Sequence, residues 1–194
     1  MKIISGLLVT ALYVVFIQNL VISTGLGMSE AVRISSRPGT FLRFAGMISG
    51  FSAATGLVCG IIAKYTSVFG SYAVRAAIYG GVLAGLYIIA AAVMKLAKKD
   101  NELLGTLGIA ALNTLVFAVP YINDAAAYDL WNSLGAGIGA GAAFVLAAAL
   151  IGSGSKALEK NKHIPEIFKG TPSMFLYVGM ISLGFTGFTG SALF

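Results

Sequence analysis

The chain has 194 residues, of which 58% are hydrophobic and 10% are charged, and its mean hydropathy is +0.90. Soluble domains carry about a quarter of charged residues, so this composition excludes a soluble enzyme domain and predicts an integral membrane protein. The single Cys and single His exclude an internal disulfide and any site with several Cys or His ligands within one chain. The net charge of +6 is interpreted as loop charge that sets topology, not as a nucleic-acid-binding surface.

Six apolar segments predict an all-α fold with six transmembrane helices. The first segment, Ile3 to Ile22, is about as long as one membrane crossing and is interpreted as a span, not as a cleaved signal peptide. A Gly-rich break at residues 24–27 follows, and then a short amphipathic segment with Glu30 and Arg33. A second break is expected at Pro120, because proline interrupts helices. The predicted helices cover residues 3–22, 44–63, 75–96, 100–118, 130–151 and 172–194.

The two halves of the chain repeat one pattern, and each half places an Asn in its first span. Asn19 lies in the first apolar segment and Asn113 in the fourth, and two further apolar segments follow each of them. We therefore expect two inverted three-helix repeats, residues 1–99 and 100–194, that form one membrane domain, with a broken first helix in each. In membrane proteins of this kind the functional site lies where the repeats meet, near the bilayer midplane.

Basic residues are distributed unevenly between the two ends of the predicted helices. Ten of the thirteen Lys and Arg residues fall on one side, including four Lys in the loop predicted at residues 152–170. By the positive-inside rule that side faces the cytoplasm, so both termini are expected outside. The opposite side carries Asp124 and Asp129. It also carries aromatic residues typical of a membrane interface: Tyr65, Phe69, Tyr72, Tyr121, Tyr128 and Trp131.

The fifth predicted helix has a Gly at every second position from Gly135 to Gly141, with Ala around them. Small residues allow helix backbones to approach closely in lipid, so this stretch predicts close packing against neighbouring helices. None of these glycines follows a predicted strand, which excludes a phosphate-binding loop of the strand–loop–helix type.

Several short motifs together are typical of a known family. They are residues 182–190 (SLGFTGFTG), Phe168-Lys169-Gly170 before the last helix, the Leu26-Gly27-Met28-Ser29 break, and Asn19 and Asn113-Thr114 in the two spans. Over nearly its whole length the chain resembles the small six-helix membrane subunits of the Rnf/Nqr ion-pumping electron-transport complexes. This resemblance implies a multi-pass protein of a bacterial or archaeal cytoplasmic membrane that lies beside other complex subunits.

The resemblance also implies an inverted pair of related subunits that hold a two-iron two-sulfur cluster between them, with two Cys from each. The corresponding positions here are Ser29 and Thr114, and Glu30 stands where the family usually has Pro. Cluster iron is held by thiolates, for which a hydroxyl is a poor substitute. Cys59 lies at neither position and is interpreted as a small buried hydrophobe. We therefore expect no cofactor or metal bound by this chain alone.

The expected midplane polar site consists of four side chains: Asn19, Asn113, Ser29 and Thr114. The two amides either form interhelical hydrogen bonds, worth about 0.6–2 kcal/mol each, or coordinate a cation or small polar solute with carbonyls freed at the breaks. The two hydroxyls are expected to face each other across the pseudo-twofold axis or to serve packing. Glu30 either binds Na⁺ or H⁺ beside the break or pairs with Arg33 one helical turn away.

Two functions remain open at this point. In the first, the chain is a subunit of an Rnf/Nqr-type complex, not catalytic alone, that acts as scaffold and ion path while partners carry the redox groups. In the second, it is a stand-alone homodimeric transporter of a cation or small solute with a polar site in place of the cluster. The missing Cys residues favour the second function, and the last-helix motif fits both. Expected partners are the lipid bilayer and a second membrane subunit, with no nucleic acid.

Overall fold

The computed structural model describes residues 2–65, 71–98 and 100–188, and within these ranges every regular element is helical. The helices are α1 (Lys2–Phe16), α2 (Leu20–Thr24), α3 (Met28–Ser35), α4 (Pro38–Tyr65), α5 (Tyr72–Leu96), α6 (Asn101–Ala111), α7 (Thr114–Ala125), α8 (Leu130–Lys160) and α9 (Thr171–Phe188). A short 3-10 turn, Glu166–Phe168, precedes α9. The all-α prediction is confirmed.

Five stretches of the described ranges are long and apolar enough to cross a membrane: Ile3–Thr24, Gly39–Tyr65, Tyr72–Leu96, Asn101–Ala125 and Leu130–Lys160. They correspond to the first five predicted helices. The sixth predicted helix is α9, which runs for 18 residues to Phe188. The remainder of its motif, Thr189 and Gly190, lies outside the described residues, as do Phe69 and Lys99.

The break predicted at Pro120 is wrong. Pro120 lies inside α7, and the fourth span is interrupted earlier, between Ala111 and Thr114. Proline lacks one backbone N–H, but in a membrane helix neighbouring groups satisfy the carbonyl that it leaves free, so the helix continues. The interruption instead coincides with Asn113, whose side chain caps a new helix.

The first predicted helix, residues 3–22, is wrong as one continuous helix, because the structure interrupts it between Phe16 and Leu20, where the Asn19 side chain caps a new helix. At two other boundaries the predicted helices are too short. The loop predicted at residues 152–170 begins later, because α8 continues to Lys160 although Gly152 and Gly154 are poor helix formers. Tertiary packing overrides their propensity, since Gly154 is buried against the Tyr177 ring of α9. Lys156 therefore lies on the helix. The second predicted helix starts at Pro38 and not at Phe44, because proline is well suited to the first turn of a helix.

The long helix α8 packs against α1, α3, α4 and α7, and its buried residues lie between Ser133 and Gly154. The glycines at every second position from Gly135 to Gly141 face α1 and α4 alternately. A Cβ on Gly139 would lie 2.8 Å from the carbonyl oxygen of Ala11 in α1, and a Cβ on Gly141 would lie 2.7 Å from that of Ala45 in α4. The prediction of close packing at this stretch is confirmed, since only hydrogen in place of a side chain permits these approaches.

The hydrophobic core surrounds the two helix interruptions. Val21 of α2 and Leu115 of α7 are fully buried in it, and the rings of Phe44 and Phe144 pack with centroids 5.4 Å apart. The ends of the interrupted helices are therefore enclosed by side chains from α4 and α8.

We expect Gly137→Ala to destabilise the protein, because the added methyl group would overlap the Ala53 backbone of α4. Overpacking of this kind costs about 1–3 kcal/mol. The thermal unfolding midpoint in mild detergent measures the effect, with Gly50→Ala as control, because a Cβ on Gly50 meets nothing within 4 Å. A Gly137→Ala midpoint equal to that of the control would contradict the packing of α8 on α4.

Candidate functional site

Asn19 occupies the first interruption, where it caps α2. Its side-chain oxygen accepts the backbone N–H of Ile22 at 3.3 Å, which satisfies one of the donors left free at a helix start. Its amide nitrogen donates to the carbonyl of Val15 at 3.0 Å and to that of Ala143 in α8 at 3.2 Å. Asn19 is fully buried and both ends of its amide are engaged. It joins α1, α2 and α8 at a point where backbone bonding is broken.

Asn113 occupies the second interruption, where it caps α7. Its side-chain oxygen accepts the backbone N–H of Leu115 at 2.9 Å. Its amide nitrogen is buried and has no hydrogen-bond partner among the described residues. Each Asn thus caps a helix through its side-chain oxygen. The two residues differ at the amide nitrogen, which donates two hydrogen bonds in Asn19 and none in Asn113.

The two interrupted spans meet at Gly27 and Thr114. The backbone N–H of Gly27 donates to Oγ1 of Thr114 at 2.9 Å. Gly27 has φ = 74°, a left-handed conformation that favours glycine. A Cβ at this position would also lie 2.7 Å from the side-chain oxygen of Asn113. Both the conformation and the space therefore require glycine at this junction.

A cavity of about 360 Å³ lies at this junction and is called the Asn113 cavity. Its lining residues are Gly27, Ser29, Glu30, Gly108, Ile109, Leu112, Asn113 and Thr114. Four of the five predicted site residues therefore line one space. Asn19 does not line it, because its amide points to α1 and α8.

Glu30 lies in the first turn of α3 and forms an ion pair with Arg33 one turn on. Nε of Arg33 also donates to the Glu30 carboxylate at 2.8 Å. The structure therefore contains the Glu30–Arg33 pair, which is one of the two alternatives that the sequence left open for Glu30. The pair is partly exposed, so its contribution to stability is small.

A second cavity, of about 600 Å³, lies at the other end of α7 and was missed by sequence reasoning. It is called the Asn123 cavity, and its polar and aromatic lining includes Cys59, Lys64, Tyr79, Asn123, Asp129 and Trp131. The one feature of the sequence that pointed to this cavity was Asn123 beside Asp124, in a region that the sequence analysis placed in a loop at the membrane interface. Burial raises the pKa of Tyr128 in the same lining, so this phenol stays neutral at physiological pH.

The acids near the Asn123 cavity are both engaged. Asp124 forms an ion pair with Arg75, which ties α7 to α5. Asp129 caps α8 by accepting the backbone N–H of Asn132 at 2.7 Å. In the described ranges no group of three or more His, Cys, Asp and Glu side chains is placed to hold a metal ion.

The chain has relatives along nearly its whole length. The family model for the Rnf-Nqr subunit, membrane protein, matches residues 7–192. The chain belongs to the Rnf-Nqr subunit family. It is 28% identical over 190 residues to one subunit of the Na⁺-translocating ferredoxin:NAD⁺ oxidoreductase complex of Acetobacterium woodii, covering 92% of this chain and 94% of the relative. It is also 28% identical over 192 residues to one subunit of the Na⁺-translocating NADH-quinone reductase of Azotobacter vinelandii, covering 92% and 95%.

Ser29 and Thr114, the residues expected at the positions of the family's cluster ligands, do not fit an iron–sulfur cluster. Ser29 and Thr114 offer hydroxyls, and Oγ1 of Thr114 already accepts the N–H of Gly27. Cys59 is buried in α4 and lines the Asn123 cavity, not the Asn113 cavity. Cluster iron needs thiolates, so no redox step is assigned to this chain.

The two Asn caps lead to different expectations for their variants. Asn19→Ala removes a buried cap and two donated hydrogen bonds, so we expect a loss of about 1–3 kcal/mol of stability. Asn113→Ser keeps an oxygen suited to the N-cap position and removes only the unpartnered amide nitrogen, so stability stays within about 0.5 kcal/mol. Thermal unfolding in detergent tests both. An equal and large loss in both variants would show that the Asn113 amide nitrogen has a structural partner.

Proposed function

We propose that the chain is one membrane subunit of an Na⁺-translocating electron-transport complex of the Rnf/Nqr type. It supplies an interrupted-helix scaffold, while partner subunits carry the redox groups. The observation that carries this proposal is the junction between the two interrupted spans, where the Gly27 N–H bonds the Thr114 hydroxyl beside the cap of α7. The names of the relatives, which describe subunits of Na⁺-translocating complexes, support the same function.

A second membrane subunit, related and of opposite topology, covers the open side of the Asn113 cavity. Ser29 and Thr114 are exposed on this chain, and Leu112 beside them is 62% exposed. Polar groups and non-helical backbone at membrane depth need protein or water around them, because lipid offers no hydrogen bonds. When two related subunits of opposite topology pair in this way, each one covers the exposed polar groups of the other.

Two three-helix repeats, residues 1–99 and 100–194, form the subunit. An Asn N-cap at the start of the second half of each first span, Asn19 or Asn113, supports this division. The subunit lies in the cytoplasmic membrane of a bacterium or archaeon with both termini outside, because most Lys and Arg residues fall at the other ends of the spans.

The transported ion in this proposal is Na⁺, and H⁺ at the Glu30 carboxylate is the alternative. The Asn113 cavity offers the hydroxyl oxygen of Ser29 and the carboxylate of Glu30. The amide oxygens of Asn19 and Asn113 are already used as helix caps. An ion in this cavity therefore meets hydroxyl and carboxylate oxygens first.

A stand-alone homodimeric transporter of a cation or small solute is the second candidate. The specific observation in its favour is the pair of hydroxyl residues, Ser29 and Thr114, in place of thiols. A chain without cluster ligands has no need of redox partners, and a second copy is able to cover the same open side of the Asn113 cavity.

The native mass of the protein from its own membranes, with iron and flavin measured in the same peak, separates the two candidates. We expect a large assembly that contains flavin and iron, because the proposed redox groups lie on partner subunits. A colourless peak at the mass of a monomer or dimer would contradict the complex and favour the transporter. The detergent-solubilised membranes of a deletion strain serve as control.

The homodimer makes a further prediction through the double variant Ser29→Cys with Thr114→Cys. If two copies pair about one axis, four thiols meet and anaerobic reconstitution with iron and sulfide yields a two-iron two-sulfur spectrum. The two single variants are the matched controls, because each provides half of the thiols. A double variant that folds and binds no more iron than the controls would exclude this pairing.

A further inference from the structure

One face of α4 opens the Asn123 cavity, because it carries small residues. Four of them line the cavity at the three- and four-residue spacing of a single helix face: Gly56, Cys59, Gly60 and Ala63. Lys64 lines the cavity at the end of the same helix, in its last turn. Gly56 and Lys64 are about 12 Å apart along the helix at 1.5 Å per residue. The wall that α4 provides is therefore small and apolar over two turns and ends in a cation.

Two side chains of opposite charge line the cavity at the level where the membrane spans end. Lys64 lies in the last turn of the span that ends at Tyr65, and Nζ of Lys64 is 6.0 Å from the centroid of the exposed Tyr65 ring. Asp129 directly precedes the span that begins at Leu130 and caps its helix. The ends of membrane spans lie among the lipid headgroups. The cavity thus presents a cation and an anion at headgroup level.

Both of these charges are available to a ligand. Lys64 forms no ion pair with any residue that the structure describes. Asp129 accepts the backbone N–H of Asn132 with one carboxylate oxygen, and its second oxygen has no hydrogen bond to a described residue. Asp124, the third charged residue of the lining, already pairs with Arg75. A ligand with a single charge would satisfy only one of Lys64 and Asp129, whereas a zwitterion satisfies both.

Aromatic rings complete the lining of the cavity. Tyr128 and Trp131 flank Asp129 in the chain and line the same space. The faces of such rings attract ammonium groups. The buried Tyr79 ring also lines the cavity and packs edge to face on Tyr121, with centroids 4.8 Å apart, so its position is fixed. The surroundings of Asp129 therefore suit an ammonium group better than a metal ion.

We propose that the Asn123 cavity binds a phosphoethanolamine group, with the phosphate at Lys64 and the ammonium at Asp129. Lysine is a common phosphate ligand in proteins. A primary ammonium donates hydrogen bonds to the second Asp129 oxygen, and the quaternary ammonium of phosphocholine has no N–H to donate. The group comes either from the headgroup of a membrane lipid or from a soluble molecule, and the apolar wall of α4 favours the lipid. This inference does not depend on the proposed function.

The first test is the thermal unfolding midpoint of the delipidated protein in a maltoside detergent, with one short-chain lipid added at a time. Dihexanoyl-phosphatidylethanolamine at ten times its dissociation constant should raise the midpoint by about 3–6 °C. The phosphatidylglycerol and phosphatidylcholine of the same chain length should raise it less. The first has no ammonium group for Asp129, and the ammonium of the second has no N–H. Equal rises with all three lipids overturn the inference.

Two conservative variants separate the two charges of the site. Lys64→Gln should abolish the rise with phosphatidylethanolamine. Asp129→Asn should reduce it to the rise seen with phosphatidylglycerol, and it keeps the cap of α8, because Asn is as good an N-cap residue as Asp. The matched control is Lys95→Gln, since Lys95 is an exposed Lys in the last turn of α5. A rise that keeps its wild-type size in both variants overturns the site.

Trp131 provides a second measurement on the wild-type protein, because it is the single Trp of the chain and lines the cavity. Its ring is 49% exposed, so acrylamide should quench its fluorescence. Phosphatidylethanolamine should lower the quenching constant over the same concentration range in which it raises the midpoint. A quenching constant that stays unchanged over that range would place the lipid elsewhere and overturn the site.

Free phosphoethanolamine, added in place of the lipid in both measurements, identifies the source of the group. A rise in the midpoint with the lipid alone assigns the site to a membrane lipid. An equal rise with free phosphoethanolamine assigns it to a soluble molecule. A midpoint that neither compound raises overturns the inference, and it leaves the native mass and the flavin content of the proposed complex unaffected.

Discussion

Backbone polar groups at membrane depth have to be satisfied inside the protein, and the two helix interruptions are where this need is greatest. The structure meets it with the same type of side chain twice. Asn19 caps α2 and Asn113 caps α7, so each broken helix restarts with one of its free N–H groups bonded. Asn19 further bonds the Ala143 carbonyl and so fixes the first interruption to α8. The alternate glycines of α8 allow α1 and α4 to approach closely enough for these bonds and for the core around them.

The junction between the two interrupted spans is built from backbone and hydroxyl groups, and Cys59 lies elsewhere, in the lining of the Asn123 cavity. The left-handed Gly27, its hydrogen bond to Thr114 and the open Asn113 cavity depend on backbone geometry and on a hydroxyl, not on a thiolate. The Thr114 hydroxyl accepts the Gly27 N–H, and neither this hydroxyl nor that of Ser29 is a thiolate of the kind that cluster iron needs. The Glu30–Arg33 pair adds a balanced charge at the same place. The space at this junction has a mainly apolar lining that also carries the hydroxyls of Ser29 and Thr114 and the carboxylate of Glu30.

The helix α7 relates the two cavities, because one unpartnered amide lies near each of its ends. Asn113 presents only a free nitrogen, since its oxygen caps the helix, whereas both atoms of Asn123 are free. The two ends therefore differ: near the Asn113 cavity only an amide nitrogen lacks a partner, whereas near the Asn123 cavity both an amide nitrogen and an amide oxygen lack one.

The sequence by itself determined the membrane class, the order of the helices, the family, and the two Asn positions, because hydropathy, small-residue spacing and short motifs are local properties. It placed the second break wrongly at Pro120, because the cost of proline depends on whether neighbouring helices satisfy the free carbonyl. Only the tertiary structure decided which atoms of the Asn19 and Asn113 amides form hydrogen bonds. Those bonds depend on groups that are distant in sequence, such as the carbonyl of Ala143. For the same reason, only the tertiary structure showed that Asn19 lies away from the Asn113 cavity, and that Gln18 and Asn123 line the same small cavity.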